Sequence, residues 1–415
     1  MKPPKPEPEP NQEKRHIGGQ PGHPPHVRDP YPPEQVTKTE LYYLPCCPDC
    51  GQKLEESLEP PRIVQQIDLA EIKFTIEEHW SHVSWCPHCQ KKYAAPLPAR
   101  IEQGGLFGPR LTAQVAYLKG NCHASFSTIR KYFRDVLEIP VSRGYLAKVI
   151  HKVSEALKTP YDKLLPLLSQ QDHLNVDETG HKHNKERMWT WCFRAELFVM
   201  FHVDPHRNAE VLMEMIGTEF AGVLGCDYLS TYRRYMRECD VTVQFCLAHL
   251  IRDVKFLTKL PRPEERAYGE RLRDLLRELF ALIHDRERWT EPAFRRLLQA
   301  KRDEIVAAGL QAVPGSKHCL AIAKRFRDHG AAYFEFITSP GIEPTNNLAE
   351  QAIRFVVIDR HITQGTRSEK GDRWCERIWT VIATCALQGK SVMDFIYESV
   401  MACWEKTDYP SLAFE

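Results

Sequence analysis

Two short runs decide the reading of this chain: His173-Leu174-Asn175-Val176-Asp177 and Gly222-Val223-Leu224-Gly225-Cys226-Asp227. Each ends on an aspartate, as a strand that delivers a carboxylate at its tip would. Between them, Met188 to Phe193 and Leu197 to Val203 read as two further strands, with Arg194-Ala195-Glu196 as the turn region joining them. Asn208 to Ile216 has the spacing of a short amphipathic helix. The order is β-β-β-α-β. In a sheet of this kind Asp177 and Asp227 would lie on neighbouring strands, with both carboxylates facing a shared space.

Two close carboxylates repel, so they stay ionised only beside a cation. Their hard oxygens suit Mg²⁺ or Mn²⁺. Two such ions held about 4 Å apart activate a water or a 3′-OH and stabilise the leaving oxygen in phosphodiester chemistry. A third carboxylate is then wanted. Glu350 is the best placed, in Pro344-Thr345-Asn346-Asn347-Leu348-Ala349-Glu350, where Thr345 or Asn346 can cap a helix that starts here. Glu178 follows Asp177 directly, and adjacent strand residues point to opposite faces, so it is not the expected partner. Asp359 and Asp372 read as solvated carboxylates rather than ligands.

A second constellation lies upstream. Cys47-Pro48-Asp49-Cys50 and Cys86-Pro87-His88-Cys89 give the spacing C-x2-C-x35-C-x2-C. Each C-P-x-C is a tight turn that aims two thiolates at one point, and two such turns make a closed, structural S4 cage for one Zn²⁺. Cys46 is a neighbour able to substitute for Cys47. Ile63 to Ile67 and Ile72 to Val83 are rich in β-branched and aromatic residues and read as strands of a zinc-ribbon-like module. The chain holds 14 Cys. With four in these pairs and most of the others scattered singly, a reducing cytosol is expected, not a disulfide framework.

Composition bounds the rest. The 415 residues carry 56 Lys+Arg against 55 Asp+Glu, a net charge of +1, so no single basic surface covers the molecule. A 42% hydrophobic share can fill a core. No apolar run reaches the roughly 18 residues that a membrane helix needs. Residues 1–40 contain 11 of the 30 Pro and the run Gly18-Gly19-Gln20-Pro21-Gly22-His23. They read either as a plain linker or as an arm that orders on nucleic acid through Lys14, Arg15, His16, His23, His26 and Arg28.

Residues 109–158 are helical in pattern, with Ser142 as an N-cap. A basic helix start carrying Arg130, Lys131 and Arg143 fits a helix-turn-helix, and a structural helical spacer fits equally well. Cys246-Leu247-Ala248-His249 offers only two ligands, which reads as a buried Cys and a hydrogen-bonded His rather than a second zinc site. Arg252 and Lys255 lie on the same helix and could face phosphate. Arg354, Arg360, Arg367 and Arg373, with His361 and Lys370, form either a solvated face or a strip that grips phosphate. Leu272, Leu275, Leu276 and Leu279 mark an amphipathic bundle over about 255–335.

Taken in order, Val176-Asp177-Glu178-Thr179, Gly225-Cys226-Asp227, Cys246-Leu247-Ala248-His249-Leu250-Ile251-Arg252-Asp253 and Asn346-Asn347-Leu348-Ala349-Glu350 resemble the IS66-family transposases. So do the Cys pairs and the Gly19-Gln20-Pro21-Gly22-His23 arm, and the likeness runs over nearly the whole chain. That resemblance implies an α/β, RNase H-like mixed sheet flanked by helices and interrupted by an α-helical insertion. It further implies that Asp177, Asp227 and Glu350 are a DDE triad holding two Mg²⁺ or Mn²⁺. The implied activity is cutting double-stranded DNA at element terminal repeats and joining the 3′-OH to target DNA. A homo-oligomer on DNA, accessory proteins of the same element, no membrane partner and a cytoplasmic, nucleoid-associated location follow from the same likeness.

The expected division is an arm over 1–40, the zinc module over 41–100 and a helical DNA-binding or spacer region over 101–165. The catalytic core then occupies 166–254 and 336–415, around an insertion at 255–335. Two departures stand out. Relatives usually carry a further N-terminal helical or coiled-coil segment, and they often place a Gly soon after the second Asp, where this chain reads Asp227-Tyr228-Leu229-Ser230-Thr231-Tyr232. The alternative reading is an inactive or shortened copy that only binds DNA ends.

Overall fold

In the computed structural model, residues 30–53, 62–67 and 74–413 are described. The basic arm from Lys14 to Arg28 and the start of the expected strand at Ile72 lie outside the described residues. The chain divides into two compact units, Met1–Glu77 and Glu78–Glu415.

In the first unit the described backbone is mostly irregular, with one 3₁₀ turn at Pro33–Gln35. Tyr31 and Gln65 exchange two hydrogen bonds, backbone N–H to Oε1 at 2.7 Å and Nε2–H to the Tyr31 carbonyl at 2.9 Å. Residues 62–67 and 74–77 form no strand, and in the second unit neither do 78–82. Ile63, Val64, Ile76 and Trp80 are all more than 70% exposed. High β-propensity without a buried face leaves nothing to hold a ladder together, because strand preference is largely a packing effect. The pairing that does form is the hairpin of β1 (Val83–Cys86) and β2 (Lys91–Ala94), with the second Cys pair at its turn.

The second unit is built on a five-stranded mixed sheet. Its strands are β3 (His173–His183), β4 (Glu186–Arg194), β5 (Val199–Asp204), β6 (Val223–Cys226) and β7 (Thr242–Phe245). Their spatial order is β5-β4-β3-β6-β7, antiparallel on the β5-β4-β3 side and parallel on the β3-β6-β7 side. The two halves follow from the connections: short turns join β3 to β4 and β4 to β5, whereas helices carry the chain back before β6 and β7.

Helices fill in around this sheet. Before it come α1 (Ala99–Gly104), α2 (Pro109–Gly120), α3 (Phe126–Asp135), α4 (Arg143–Ala156), α5 (Lys158–Asp162) and α6 (Leu165–Leu168). Within and after it come α7 (Ala209–Met215), α8 (Ser230–Cys239) and α9 (Leu247–Leu257). Between α9 and the C-terminal helices lie α10 (Pro263–His284), α11 (Glu291–Leu310) and α12 (Lys317–His329). The chain ends on α13 (Asn347–Thr363), α14 (Glu369–Gln388) and α15 (Val392–Glu405).

The Ser142 side chain caps α4 by accepting the Tyr145 N–H at 3.1 Å, as its type and position require. Leu272, Leu276 and Leu279 are buried along α10 and Leu275 packs beside them, which gives this segment its own apolar seam. Arg377 of α14 is buried and donates to the Ser154 carbonyl at 2.8 Å, so the helices before the sheet are fastened to those after it.

The sheet's outer strand β5 is sealed by α14. Val199, Phe201 and Val203 donate their backbone N–H groups to Thr384 Oγ1 (3.1 Å), Thr380 Oγ1 (3.0 Å) and Glu376 Oε1 (2.7 Å). Alternate residues of a strand thus meet residues four apart on a helix, so two different periodicities line up. The unpaired edge of a sheet normally invites another strand, and here helix side chains satisfy it.

Candidate active site

Asp177 is the fifth residue of β3 rather than its last, since the strand continues to His183 against β4 alone. On the other side the parallel partner β6 stops at Cys226. The register His173 to Val223, Leu174 to Leu224 and Asn175 to Gly225 brings Asp177 level with Asp227. Asp227 turns the chain toward α8 by accepting the Leu229 N–H at 2.9 Å, and Asp177 accepts the Glu178 N–H at 3.0 Å. Among the described residues, neither aspartate forms an ion pair with Lys, Arg or His.

Burial pushes the Asp177 carboxyl up to about 7, reinforced by the negative charges of Glu178, Asp227 and Glu350 and partly offset by the Glu178 N–H. Glu178 itself is accounted for differently. It is buried, it accepts from Arg207 Nε at 2.7 Å, and its second oxygen takes the Tyr232 hydroxyl. This carboxylate is a buried ion pair that joins β3 to α8 and the loop before α7.

Glu350 sits in the first turn of α13. The start of that helix is tied to both aspartate strands. Asn346 is buried, donates Nδ2–H to the Val176 carbonyl at 2.8 Å, and accepts from Asn175 Nδ2 at 3.0 Å. Its backbone N–H meets Cys246 Sγ at 3.2 Å. Leu247 N–H bonds the Pro344 carbonyl at 3.0 Å, and Cys246 N–H bonds the Cys226 carbonyl at 2.8 Å. Asn346 occupies the N-cap position expected from the sequence, but its side chain makes no cap bond, being spent across the sheet. Gly225 keeps this junction open, because a Cβ there would stand 2.4 Å from Asn175 Nδ2.

Cys246 and His249 acquire a third neighbour that lies a hundred residues away in sequence. One ligand atom each from Cys246, His249 and Glu350 all lie within 4.8 Å of one another. His249 Nδ1 is 3.5 Å from Glu350 Oε1, yet it is shielded from water and makes no hydrogen bond. The picture of a hydrogen-bonded His with only two ligands at hand is therefore corrected. Among the described residues this is the one group so close. Asp177, Asp227 and Glu350 do not close to the same degree, and a site that spreads its carboxylates over two ions does not require them to.

The basic residues divide. Arg130, Lys131, Arg143, Arg252, Lys255, Arg354 and Arg367 are exposed. Arg252 and Lys255, with Lys259, line a surface groove completed by Ala248, Ile251 and Phe256 on the helix that carries His249. Arg360 is engaged instead, donating to Thr179 Oγ1 at 3.1 Å and to the Gly180 carbonyl. Arg373 is turned toward the buried Glu376 at 2.7 Å. Asp359 and Asp372 are not solvated. Both are buried, the first against His123 at 3.1 Å and the second against His181 and His183. Their acidic side chains looked like surface residues because helical charge patterns do not reveal a distant histidine.

Each Cys pair adopts a turn suited to a thiolate. In the first unit Gly51 N–H bonds the Cys47 carbonyl, and backbone N–H groups of Cys50 and Asp49 hold the Cys47 thiol below its ordinary value. In the second unit the Cys89 N–H points at Cys86 Sγ at 3.4 Å, and Cys86 is lowered in the same way.

A mixed sheet that sets two aspartates level on parallel neighbours, with a glutamate-bearing helix bound to both strands, defines an α/β protein with its acidic residues at the parallel junction. The chain belongs to the IS66 transposase family, whose model matches residues 104–373. It is also similar to two uncharacterised proteins of Sinorhizobium fredii. It is 24% identical to y4jD over 417 residues, covering 90% of this chain and 76% of that protein. It is 23% identical to y4qI over 337 residues, covering 74% of this chain and 61% of that protein. Among the described residues no helix is long and apolar enough to cross a membrane.

Proposed function

We propose that the protein is a DDE transposase that cuts double-stranded DNA at the ends of a mobile element and joins the freed 3′-OH to target DNA. The observation that carries this reading is Asp177: a carboxyl pushed up to about 7 by its burial and then by the charge of Glu178, with Asp227 and Glu350 adding smaller shares, and with no ion pair to Lys, Arg or His among the described residues. A group in that state is completed by a bound divalent ion. The all-oxygen donor set of Asp177, Asp227 and Glu350 fits Mg²⁺ or Mn²⁺. Two such ions would supply activation of the attacking oxygen and stabilisation of the leaving one.

The chain's own residues do the rest. Asn346 and Asn175 orient the Glu350 helix against the Asp177 strand, and exposed Arg252, Lys255 and Arg354 offer phosphate contacts flanking the acidic site. The sheet order, three antiparallel strands followed by two parallel ones with the carboxylates at the parallel junction, supports an RNase H-like fold. Cys47/Cys50 and Cys86/Cys89 are each, within their own unit, a thiolate turn of the kind that ligates Zn²⁺.

The test is strand transfer with purified protein, element-end DNA and Mg²⁺. Asp227→Asn should abolish joining while DNA-end binding persists. Undiminished joining by that variant would remove Asp227 from the reaction. Wild-type protein that binds ends without cutting them would instead favour the end-binding alternative.

A further inference from the structure

We infer that Cys246, His249 and Glu350 form a second metal site in this unit, one for a borderline divalent ion such as Zn²⁺, which shares Glu350 with the carboxylate site. The sharing rests on the transposase reading above, whereas the binding of the ion does not.

The donors are of the right kind and already gathered. A thiolate, an imidazole and one carboxylate make a mixed S/N/O set that suits Zn²⁺ or Co²⁺ and not Mg²⁺. Their ligand atoms lie within 4.8 Å of one another. Two ligands on one tetrahedral zinc with bonds of about 2.0–2.1 Å stand about 3.4 Å apart. His249 Nδ1 and Glu350 Oε1 are 3.5 Å apart.

The imidazole nitrogen supplies an independent observation. Nδ1 of His249 is hidden from solvent and has no hydrogen-bond partner, although a carboxylate oxygen stands directly before it. A buried polar nitrogen without a partner is costly, and a metal ion between it and Glu350 removes that cost. Cys246 is the N-cap of the 11-residue helix α9, and its Sγ receives the Asn346 N–H at 3.2 Å. Burial pushes the thiol up and backbone donors work against it, so the thiolate forms with the ion rather than before it.

The scaffold is rigid on each side. Cys246 is anchored to β6 through the Cys226 carbonyl, and α13 is anchored to α9 through Leu247 and Pro344. Binding forms metal–sulfur, metal–nitrogen and metal–oxygen bonds and releases the Cys246 thiol proton, with no change of oxidation state. Three protein ligands leave a fourth position for water. Because one carboxylate cannot serve both ions equally, zinc at this site should draw Glu350 away from the aspartates.

The experiment uses the full chain equilibrated with Zn²⁺ or Co²⁺ alone. Metal content is measured by mass spectrometry, and Co²⁺ binding by its sulfur charge-transfer absorption. The wild type should hold one more ion than His249→Gln, and Cys246→Ser should lose the corresponding part of the charge-transfer band. His249→Gln is partly exposed and keeps the fold testable if Cys246→Ser does not fold. Equal metal content in wild type and His249→Gln would overturn the proposal. Asp177→Asn should keep the extra ion. An extra ion in wild type together with absent strand transfer would uphold this site and defeat only the transposase reading.

Discussion

The side-chain amide of Asn346 donates to the carbonyl of Val176 at 2.8 Å, and Val176 immediately precedes Asp177. The helix that bears Glu350 is therefore bound to the strand that bears Asp177 by one buried residue, four positions before Glu350. Asn346→Ala strands the Val176 carbonyl and the Asn175 amide, each at about 1–3 kcal/mol. Urea unfolding should show that loss. Strand transfer should fall at least tenfold in protein that is still folded, because small displacements of a catalytic group are costly. Full activity in folded Asn346→Ala would show that this link does not position Glu350.

Gly225→Ala tests the same junction from the other side. The new Cβ would stand 2.4 Å from Asn175 Nδ2, and strand backbone on both sides leaves little room to yield. A loss of about 1–3 kcal/mol is expected for overpacking. Asn175→Ala in the same chain should relieve part of it. A double-mutant cycle with no coupling between the two positions would contradict this account.

Asp177 should make stability depend on pH. Its folded-state value of about 7 lies above the unfolded value of 3.8, so the folded chain holds a proton that the unfolded chain releases. That contribution is full below about 3.8 and is lost as pH rises through 7, at most on the order of 4 kcal/mol. Asp177→Asn should then be more stable than wild type at pH 8, by thermal melting without metal. Mg²⁺ should raise the wild-type Tm at pH 8 and leave the variant nearly unmoved. A variant that melts lower than wild type at pH 8 would contradict the assignment.

Glu178 should behave as a structural residue. Its carboxylate is shared by Arg207 and Tyr232 under near-complete burial. Glu178→Ala leaves Arg207 without its partner and should destabilise by about 3 kcal/mol. Glu178→Gln, which preserves shape and part of the hydrogen bonding, should cost less and should retain Mg²⁺-dependent stabilisation. Loss of the Mg²⁺ response in Glu178→Gln would instead make it a ligand.

The groove on α9 should carry salt-dependent DNA affinity. Replacing Arg252, Lys255 and Lys259 together by Ala should flatten the dependence of log affinity on log salt by about 2 to 3, if each neutralises one phosphate. An unchanged slope in a binding titration across salt concentrations would place the DNA elsewhere.

Much of this was legible in the chain. Three of the expected core strands formed within two residues of their limits, whereas β3 runs six residues past Asp177 to His183, and β7 (Thr242–Phe245) was not expected. The Ser142 cap and the Leu272 to Leu279 seam were readable because both are local patterns of a single helix. Ile63 and Ile76 misled, because β-branched residues announce a strand only where another surface covers them. Tyr228 follows Asp227 directly. Its hydroxyl meets His329 Nδ1 at 2.9 Å, and Arg325 lies over its ring. It thereby holds helix α12 against the carboxylate strand.

By itself the sequence determined which residues could carry the chemistry: two aspartates at strand level, a glutamate at a helix start, and paired cysteines in tight turns. Those are matters of residue type and short spacing. Tertiary structure alone decided what each group faces. It sent Glu178 to Arg207 and Tyr232, buried Asp359 and Asp372 against histidines, and brought Glu350 beside Cys246 and His249 at the start of α9. Pairwise contacts across more than a hundred residues depend on the register of β3 with β6 and on the docking of α13, and no local periodicity encodes either.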